Sequence, residues 1–260
     1  MKIIRRIIIA IVAFFLVEIY IDSNLLVVSN FNVIDKKIPQ KFNGYKILHL
    51  SDLHSKSFGK NNINLVEKIN KINPDIIVMT GDMVNCNDIK FDNFFNLVKI
   101  LTKKYKIYYI VGNHEQNMKK VNKNVITDFL TANGVIVLDN EKVELQKDDE
   151  KINLYGMWCN LRYYSSKSEG TKYDFTEEIM NKIMEDSPLD TLEYNILLAH
   201  NPNFIQSYVA WGADLTLSGH IHGGMVRLPF IGGIFSPDTL LFPKYSSRLV
   251  WSFKQKVDCK

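Results

Sequence analysis

The spacing of apolar positions along the chain alternates between two periods, and each period predicts a different element. Short runs rich in β-branched and aromatic residues, which are typical of buried strands, occupy 46–50, 75–79, 107–111 and 194–199. Between these runs, three sets of apolar residues recur at helical spacing: Ile63, Leu65, Val66, Ile69 and Ile72; Phe91, Phe94, Phe95, Val98 and Leu101; Val125, Ile126, Phe129 and Leu130. Strands that alternate with helices predict an α/β layered domain.

In such a domain, ligands bind beyond the carboxyl ends of the strands. Polar clusters follow all four of these runs and a fifth apolar segment at 215–218. The clusters are Asp52-Leu53-His54, Gly81-Asp82, Gly112-Asn113-His114-Glu115, His200-Asn201 and Gly219-His220-Ile221-His222. Five of the six histidines of the chain lie in them. Because the Gly-Asn-His-Glu and Gly-His-x-His patterns are each rare at average composition, chance does not explain their joint occurrence after strands.

The clusters offer imidazole, carboxylate and amide carbonyl groups but no thiolate, a combination that suits Zn, Mn or Fe. The candidate metal ligands are Asp52, His54, Asp82, Asn113, His200, His220 and His222. So many donors exceed the needs of one tetrahedral ion and suit two ions that share a bridging ligand. Paired ions stabilise both the entering and the leaving oxygen of a displacement at phosphorus. The sequence therefore predicts two divalent metal ions and a phosphoester substrate.

Taken in order, the five motifs resemble those of the calcineurin-like metallophosphoesterases: D-x-H, G-D, G-N-H-[DE], H and G-H-x-H. They run from Asp52 to His222, about two thirds of the chain. The resemblance implies an α/β/β/α sandwich of two mixed sheets flanked by helices. The alternation of strands and helices alone is equally compatible with one doubly wound sheet.

The resemblance also implies a role for each site residue. Asp52, His54 and His222 are expected to hold one ion, Asn113, His200 and His220 the other, with Asp82 bridging both and His114 left free for catalysis. A hydroxide between the ions then attacks phosphorus, while His114 protonates the leaving oxygen or donates to the developing charge. We expect Glu115 or a backbone carbonyl to orient the other ring nitrogen of His114, and a purely structural capping role for Glu115 is an equal alternative.

The expected substrate is a phosphodiester or a pyrophosphate. Two alternatives remain at this stage: a phosphomonoesterase that acts on phosphoproteins or small phosphates, and a catalytically impaired metal-binding envelope protein. The Ser-Asp-Leu-His start, together with residues 219–229, is most similar to the membrane-associated bacterial branch of the family. That narrower resemblance implies a lipid-linked substrate, such as a phospholipid or a nucleotide-sugar lipid.

The first residues of the chain have the pattern of a targeting segment. Lys2, Arg5 and Arg6 precede an unbroken apolar run at 7–17, and no clear cleavage site follows. We therefore expect residues 1–22 to form an uncleaved signal-anchor, with 23–260 as the metallophosphoesterase domain outside the cytoplasm. A cleaved signal peptide and a buried N-terminal element of the domain are the alternatives.

Composition excludes several other classes of protein. A content of 46% hydrophobic and 23% charged residues is ordinary for a globular chain. The formal charge of +4 comes from 32 basic and 28 acidic residues without a dense basic run, so we expect no nucleic-acid partner. Cys86, Cys159 and Cys259 are far apart and form no C-x-x-C pair, which argues against a disulfide framework and a thiolate zinc site.

Four further features of the sequence lie outside the ligand set. The polar stretch 161–173 is either a substrate-gating loop or an ordinary surface loop, and Arg227 is either a phosphate clamp or a solvated residue. His49 is interpreted as a packed or hydrogen-bonded strand residue. Beyond Phe242-Pro243 the chain departs from the family pattern, with one strand expected at 249–253. A missing edge strand predicts a destabilised domain with an intact site.

Overall fold

Two four-stranded sheets pack face to face in the computed structural model of the protein. The structure describes residues 2–164, 175–222, 226–228 and 232–235. The strands of the two sheets are β1 Ile47–Leu50, β2 Ile76–Met79, β3 Lys106–Tyr109, β4 Ile136–Val137, β5 Glu141–Lys147, β6 Glu150–Met157, β7 Asn195–Ala199 and β8 Leu215–Leu217. A separate antiparallel pair is formed by β9 Val226–Leu228 and β10 Gly232–Phe235.

The first sheet has the order β1-β2-β3-β4, and all its neighbouring strands are parallel. Helices connect these strands, because parallel neighbours need a crossover. The helices of the chain are α1 Lys2–Asn24, α2 Ile63–Ile72, α3 Asp92–Leu101, α4 Asn113–Gln116, α5 Lys120–Ala132, α6 Glu177–Ile183 and α7 Ile205–Trp211.

The second sheet has the order β5-β6-β7-β8 and is mixed. Strands β5 and β6 form an antiparallel hairpin, whereas β6, β7 and β8 are parallel. The expectation of two mixed sheets is thus correct for the second sheet and wrong for the first in the part of the chain that the structure describes. The reason is the connection: a tight turn joins only β5 to β6, and a helix-containing crossover joins each pair of the first sheet.

Three hydrophobic layers explain the α/β/β/α arrangement. Buried residues of α2, α3 and α5, such as Ile69 and Phe94, cover the outer face of the first sheet. Residues of both sheets, including Val78 and Leu198, form the middle layer. The outer face of the second sheet is covered by α6 and α7, where Tyr208 is fully buried. The two-sheet sandwich is therefore confirmed, and the alternative of one doubly wound sheet is excluded.

The N-terminal helix α1 has large apolar side chains that are exposed, among them Ile7, Ile8 and Val12. Among the described residues, no helix combines the length and the hydrophobicity that a bilayer crossing requires. The expectation of a transmembrane anchor is accordingly not supported. The segments 165–174 and 249–253 and the side chain of Arg227 lie outside the described residues, so the gating-loop, edge-strand and phosphate-clamp interpretations stay predictions.

Candidate metal centre

The predicted ligands come together at one edge of the sandwich, because they follow strands whose carboxyl ends point the same way. Asp52 and His54 follow β1, Asp82 follows β2, and Asn113 follows β3. From the second sheet, His200 follows β7, and His220 and His222 follow β8. The structure thus brings all seven side chains to a single place.

One group of side chains consists of Asp52, His54, Asp82 and His222, whose donor atoms all lie within 4.8 Å of one another. The Nε2 atoms of His54 and His222 are 3.1 Å apart. His222 Nε2 is 3.5 Å from Asp52 Oδ1, and His54 Nε2 is 3.9 Å from Asp82 Oδ2. These distances leave a small space surrounded by two imidazoles and two carboxylates.

A second group contains Asp82, His200 and His220, and the amide of Asn113 joins it. Asn113 Oδ1 lies 3.0 Å from His200 Nε2 and 2.9 Å from His220 Nδ1. His200 Nε2 is also 3.1 Å from Asp82 Oδ2. Asp82, His200 and His220 are buried, so this group is shielded from water.

The chemistry of the two groups fits divalent metal ions. Ring nitrogens that face each other at 3.1 Å, as in His54 and His222, can form at most one hydrogen bond between them, whereas a cation satisfies both lone pairs. The donors are imidazole, carboxylate and amide oxygen, which suits Zn, Mn or Fe. Carboxylates such as that of Asp82, which is 1% exposed, are buried at a high cost unless they are paired or bind a metal.

Backbone conformation at the site is unusual. Five of the seven side chains belong to residues with left-handed φ values, namely Asp52 (54°), His54 (47°), Asp82 (52°), His220 (69°) and His222 (56°). Non-glycine residues rarely adopt this region, and each such residue costs about 1 kcal/mol or more. Backbone strain of this kind concentrates at functional sites, where the surrounding structure maintains it.

Cross-links between the loops offset that strain. The N–H groups of Asp52 and His54 donate to the carbonyls of Gly81 and Asp82, at 3.1 and 3.0 Å. The loop after β1 therefore continues the pairing of the sheet beyond the strand ends. At Gly112 the backbone is so close that an added Cβ would lie 2.2 Å from Asp82 Oδ1, so only glycine fits there.

Glu115 joins the loops after β2 and β3. Its carboxylate is fully buried and accepts hydrogen bonds from the N–H groups of Asp82 (2.9 Å), Met83 (2.7 Å) and Gly112 (2.9 Å). Burial, and then repulsion from Asp82, raises the pKa of Glu115 to about 7. The structural capping role is therefore the correct interpretation. The expectation that Glu115 orients the ring of His114 is wrong, because the carboxylate is occupied by backbone donors.

His114 is half-buried between the loops, and its ring centroid lies 4.5 Å from that of His54. Its Nδ1 accepts a hydrogen bond from the N–H of Cys86 at 3.2 Å. The expected backbone carbonyl, a hydrogen-bond acceptor, is therefore not the partner of this nitrogen; a backbone N–H donor is. Because Nδ1 accepts, the hydrogen of the neutral ring is on Nε2. Burial lowers the pKa of His114, against an opposing effect of Asp82.

Comparison with known proteins agrees with this geometry. The profile of the calcineurin-like phosphoesterases matches residues 45–224. The chain belongs to this family. An uncharacterized metallophosphoesterase of Aquifex aeolicus (strain VF5) is 30% identical over 215 residues, which are 82% of this chain and 75% of the relative.

Two further relatives are similar over comparable lengths. Uncharacterized metallophosphoesterase YkuE of Bacillus subtilis (strain 168) is 27% identical over 223 residues, 84% of this chain and 72% of its own. Phosphodiesterase YaeI of Escherichia coli (strain K12) is 25% identical over 204 residues, 74% of this chain and 66% of its own. The protein is therefore a metallophosphoesterase, a hydrolase of phosphoester bonds, with an Asp/His cluster suited to metal ions.

Several residues of this phosphoesterase site are not apparent from the sequence. His200 Nδ1 donates to the carbonyl of Thr80 at 2.6 Å, and His54 Nδ1 lies 3.1 Å from Asn85 Oδ1. Such partners fix the tautomer, so that Nε2 faces the metal site. No motif marks Thr80 or Asn85; the one available signal is their position beside the end of β2.

His49 is confirmed as a hydrogen-bonded strand residue. It lies in β1, paired with Val78, and its Nε2 is 2.7 Å from Thr80 Oγ1. Thr80 thereby contacts both His49 and His200. His49 itself belongs to neither group of candidate ligands.

Proposed function

We propose that this phosphoesterase is a dinuclear metal enzyme that hydrolyses a phosphodiester or a pyrophosphate. The observation that carries the proposal is the position of Asp82, whose carboxylate belongs to both groups of donors. Its Oδ2 is 3.9 Å from His54 Nε2 and 3.1 Å from His200 Nε2. A carboxylate between two sets of ligands suits a pair of ions with a common bridge.

In this proposal each group would hold one ion. Asp52, His54 and His222 would hold the first, Asn113, His200 and His220 would hold the second, and Asp82 would be shared. When bound, the ions would supply Lewis-acid stabilisation of phosphate charge and an ionised water as nucleophile. The buried side chains of the second group limit the access of bulk water to that half of the site.

His114 is assigned a hydrogen bond to the developing charge. Because the N–H of Cys86 occupies Nδ1, the hydrogen of the neutral ring is on Nε2, where it can form a hydrogen bond to the leaving oxygen as negative charge develops there. A positioned hydrogen-bond donor of this type contributes about 10²- to 10³-fold to the rate. The N–H of His114 donates to Asp82 Oδ1 at 2.8 Å, which ties the position of this donor to that of the proposed bridge.

Turnover and metal content of the purified full-length protein test the proposal. After reconstitution with manganese, zinc or iron, we expect two ions per chain and faster hydrolysis of bis(p-nitrophenyl) phosphate than of p-nitrophenyl phosphate. Full turnover with one ion per chain contradicts the dinuclear site. Faster hydrolysis of the monoester favours a phosphomonoesterase, and two bound ions without turnover indicate an impaired metal-binding protein.

We further propose that residues 1–22 attach the enzyme to the cell membrane, with the catalytic domain outside the cytoplasm and a lipid-linked phosphoester as substrate. Support comes from the basic residues Arg5 and Arg6 beside exposed apolar side chains such as Ile8 and Phe15, a combination that binds anionic lipid surfaces. Full-length protein should float with anionic vesicles, whereas the chain lacking residues 1–22 should not. Protection of the domain from protease added to spheroplasts would contradict its location.

A further inference from the structure

A cavity of about 580 Å³ lies between the segment that follows β6, helix α6 and the short helix α4. Apolar groups form part of its wall: Trp158 after β6, Tyr163, and Ile179 and Ile183 of α6. Polar side chains form about half of the wall, among them Gln116, Asn140 and Lys182. Small-molecule sites are concave and combine an apolar lining with placed polar groups.

The cavity adjoins the metal centre through two segments of chain. Gln116 lines it and is only two residues from His114 in the same short helix. Tyr163 also lines it, and the next residue, Tyr164, has its ring centroid 5.1 Å from that of His220. A substrate with its phosphorus at the metal centre can therefore extend an attached organic group into the cavity.

Charged groups give the cavity a positive balance. Among the described residues of its wall, Lys182 carries a positive charge, and Asp139 supplies the one carboxylate. Burial raises the pKa of Asp139, and nearby Lys123 opposes this shift, so the acid already has a cation beside it. The Nζ of Lys123 also lies 5.5 Å from the centre of the Trp158 ring. This balance favours an anionic group in the cavity over a cationic one.

Two N–H donors of residues in the wall also favour an anionic group, because an anion accepts hydrogen bonds. Trp158 Nε1 and Gln116 Nε2 are buried and have no hydrogen-bond partner among the described residues. A buried donor without a partner is destabilising, and an indole N–H can only donate. Because both atoms are shielded from solvent, the side chains must rotate toward the cavity for a bound acceptor to supply the missing partner.

We propose that this cavity binds an oxyanion, either a carboxylate or a second phosphate, on the organic group of the phosphoester substrate. The inference rests on the proposed phosphodiesterase function and specifies its substrate class. Lys182 supplies the charge, Trp158 supplies the hydrogen bond, and the apolar wall accommodates the carbon skeleton that joins the oxyanion to the phosphoester.

Three p-nitrophenyl aryl phosphates test the proposal, because they release the same chromophore and differ only at the para position of the second ring. That position carries a carboxamide, a carboxylate or a phosphonate. We expect kcat/KM to be about tenfold higher for the two anionic esters than for the carboxamide, as one charge-assisted hydrogen bond allows. A preference between the two anions identifies a carboxylate or a second phosphate as the natural group.

The ratio of kcat/KM between the anionic and carboxamide esters is then compared among variants. Lys182→Gln and Trp158→Phe should bring this ratio toward one. Lys103→Gln, the same change at an exposed lysine of the turn between α3 and β3, should leave it as in the wild type. A wild-type ratio near one, or a ratio that Lys182→Gln does not lower, overturns the proposal.

The affinity of the protein for the esters distinguishes a wrong assignment of the cavity from a wrong assignment of the reaction. If the wild-type protein hydrolyses none of the esters, the phosphodiesterase proposal fails, and calorimetric titration of the metal-free protein with the same esters decides the cavity alone. Tighter binding of the anionic esters, weakened by Lys182→Gln, supports the oxyanion site. Equal affinities for the carboxylate and the carboxamide contradict it.

Discussion

The two halves of the candidate metal centre are held in place in different ways. In the first half, the loops after β1, β2 and β3 bond to one another, and Glu115 accepts three backbone N–H groups. In the second half, the loops after β7 and β8 share a backbone bond, from the N–H of Gly219 to the carbonyl of His200 at 3.0 Å, and further bonds tie them to the first half. The N–H of His220 donates to the carboxylate of Asp52 at 3.0 and 3.1 Å, and His200 Nδ1 donates to Thr80.

Exposure does not divide the two halves. In the first half Asp82 is 1% exposed and His54 20%, and in the second half His200 is 0% exposed and His222 34%. The difference lies in the cross-links: the first half has several within itself, whereas the second half depends mainly on contacts across the two sheets. We infer that the first half is the organised platform and that the second half completes the site by docking onto it.

The largest effect on metal binding and on kcat is expected when Asp82, the residue shared by the two groups of ligands, is replaced. Asp82→Asn removes the carboxylate charge that both groups use, so both ions should bind weakly and kcat should fall by about 10³-fold or more, the equivalent of several kcal/mol of electrostatic stabilisation. Steady-state kinetics and elemental analysis measure the two losses. Asp128→Asn, on the exposed face of α5, is the matched control, and retention of both ions by Asp82→Asn would argue against a bridge.

A large loss of rate without loss of metal is expected at His114. His114→Ala should lower kcat about 10²- to 10³-fold, while the metal content stays at the wild-type value, because His114 is in neither group of ligands. The loss should be smaller for a substrate with a better leaving group, since less negative charge on the leaving oxygen needs stabilisation. An equal loss for good and poor leaving groups would contradict the assigned hydrogen bond to the leaving oxygen.

An intermediate effect is expected when the platform is loosened. In Glu115→Gln the amide nitrogen cannot accept a hydrogen bond, so at least one of the three N–H groups loses its partner. Metal affinity should weaken about 10- to 100-fold, as it does when groups that orient ligands are changed. Competition with a chelator measures the affinity.

Glu67→Gln, on the exposed side of α2, should leave this affinity unchanged. Because Glu115 holds the loops of the first half in place, Glu115→Gln should also change the geometry of the ligands. The absorption spectrum of bound cobalt should therefore differ from that of the wild type, even when excess metal restores full occupancy. A lower melting temperature with unchanged affinity and spectrum would reduce Glu115 to a purely structural role.

The smallest effect concerns stability of the metal-free protein. Burial lowers the pKa of His200, but Asp82 outweighs it and raises the value from 6.5 to about 9. A raised histidine pKa contributes stability that is complete below about 6.5 and is lost as the pH rises through about 9. In the presence of a chelator, the melting temperature should therefore fall by about 5 °C between pH 6 and pH 9.5.

The ion pair of Asp82 and His200 also affects the stability of the protein at acidic pH. Burial raises the pKa of Asp82, but His200 outweighs this and lowers the value from 3.8 to about 2, so its contribution is lost as the pH falls through about 2. In the metal-free protein, Asp82→Asn should make the melting temperature depend less on pH between pH 6 and pH 9.5. If the melting temperature of that variant falls with rising pH as steeply as that of the wild type, Asp82 and His200 do not couple the two halves.

Much of the fold was predictable because its elements have strong local patterns. The strands at 46–50, 75–79, 107–111 and 194–199 were predicted from apolar runs, and β2 is buried along its whole length. Helix α7, with only seven residues, was not predicted. The four described strands of the first sheet are all parallel because a helix connects each strand to the next. A run of apolar residues does not specify the direction of that connection.

The sequence by itself determined the ligand types, their positions at strand ends and the family, because these depend on residue identity and local periodicity. Only the tertiary structure decided that Asp82 joins two groups, that Glu115 binds three backbone donors and that Cys86 sets the tautomer of His114. These features rest on contacts between distant segments; Asn113 and His220, for example, are 107 positions apart and 2.9 Å distant. The packing of the two sheets brings such groups together, and no local pattern encodes it.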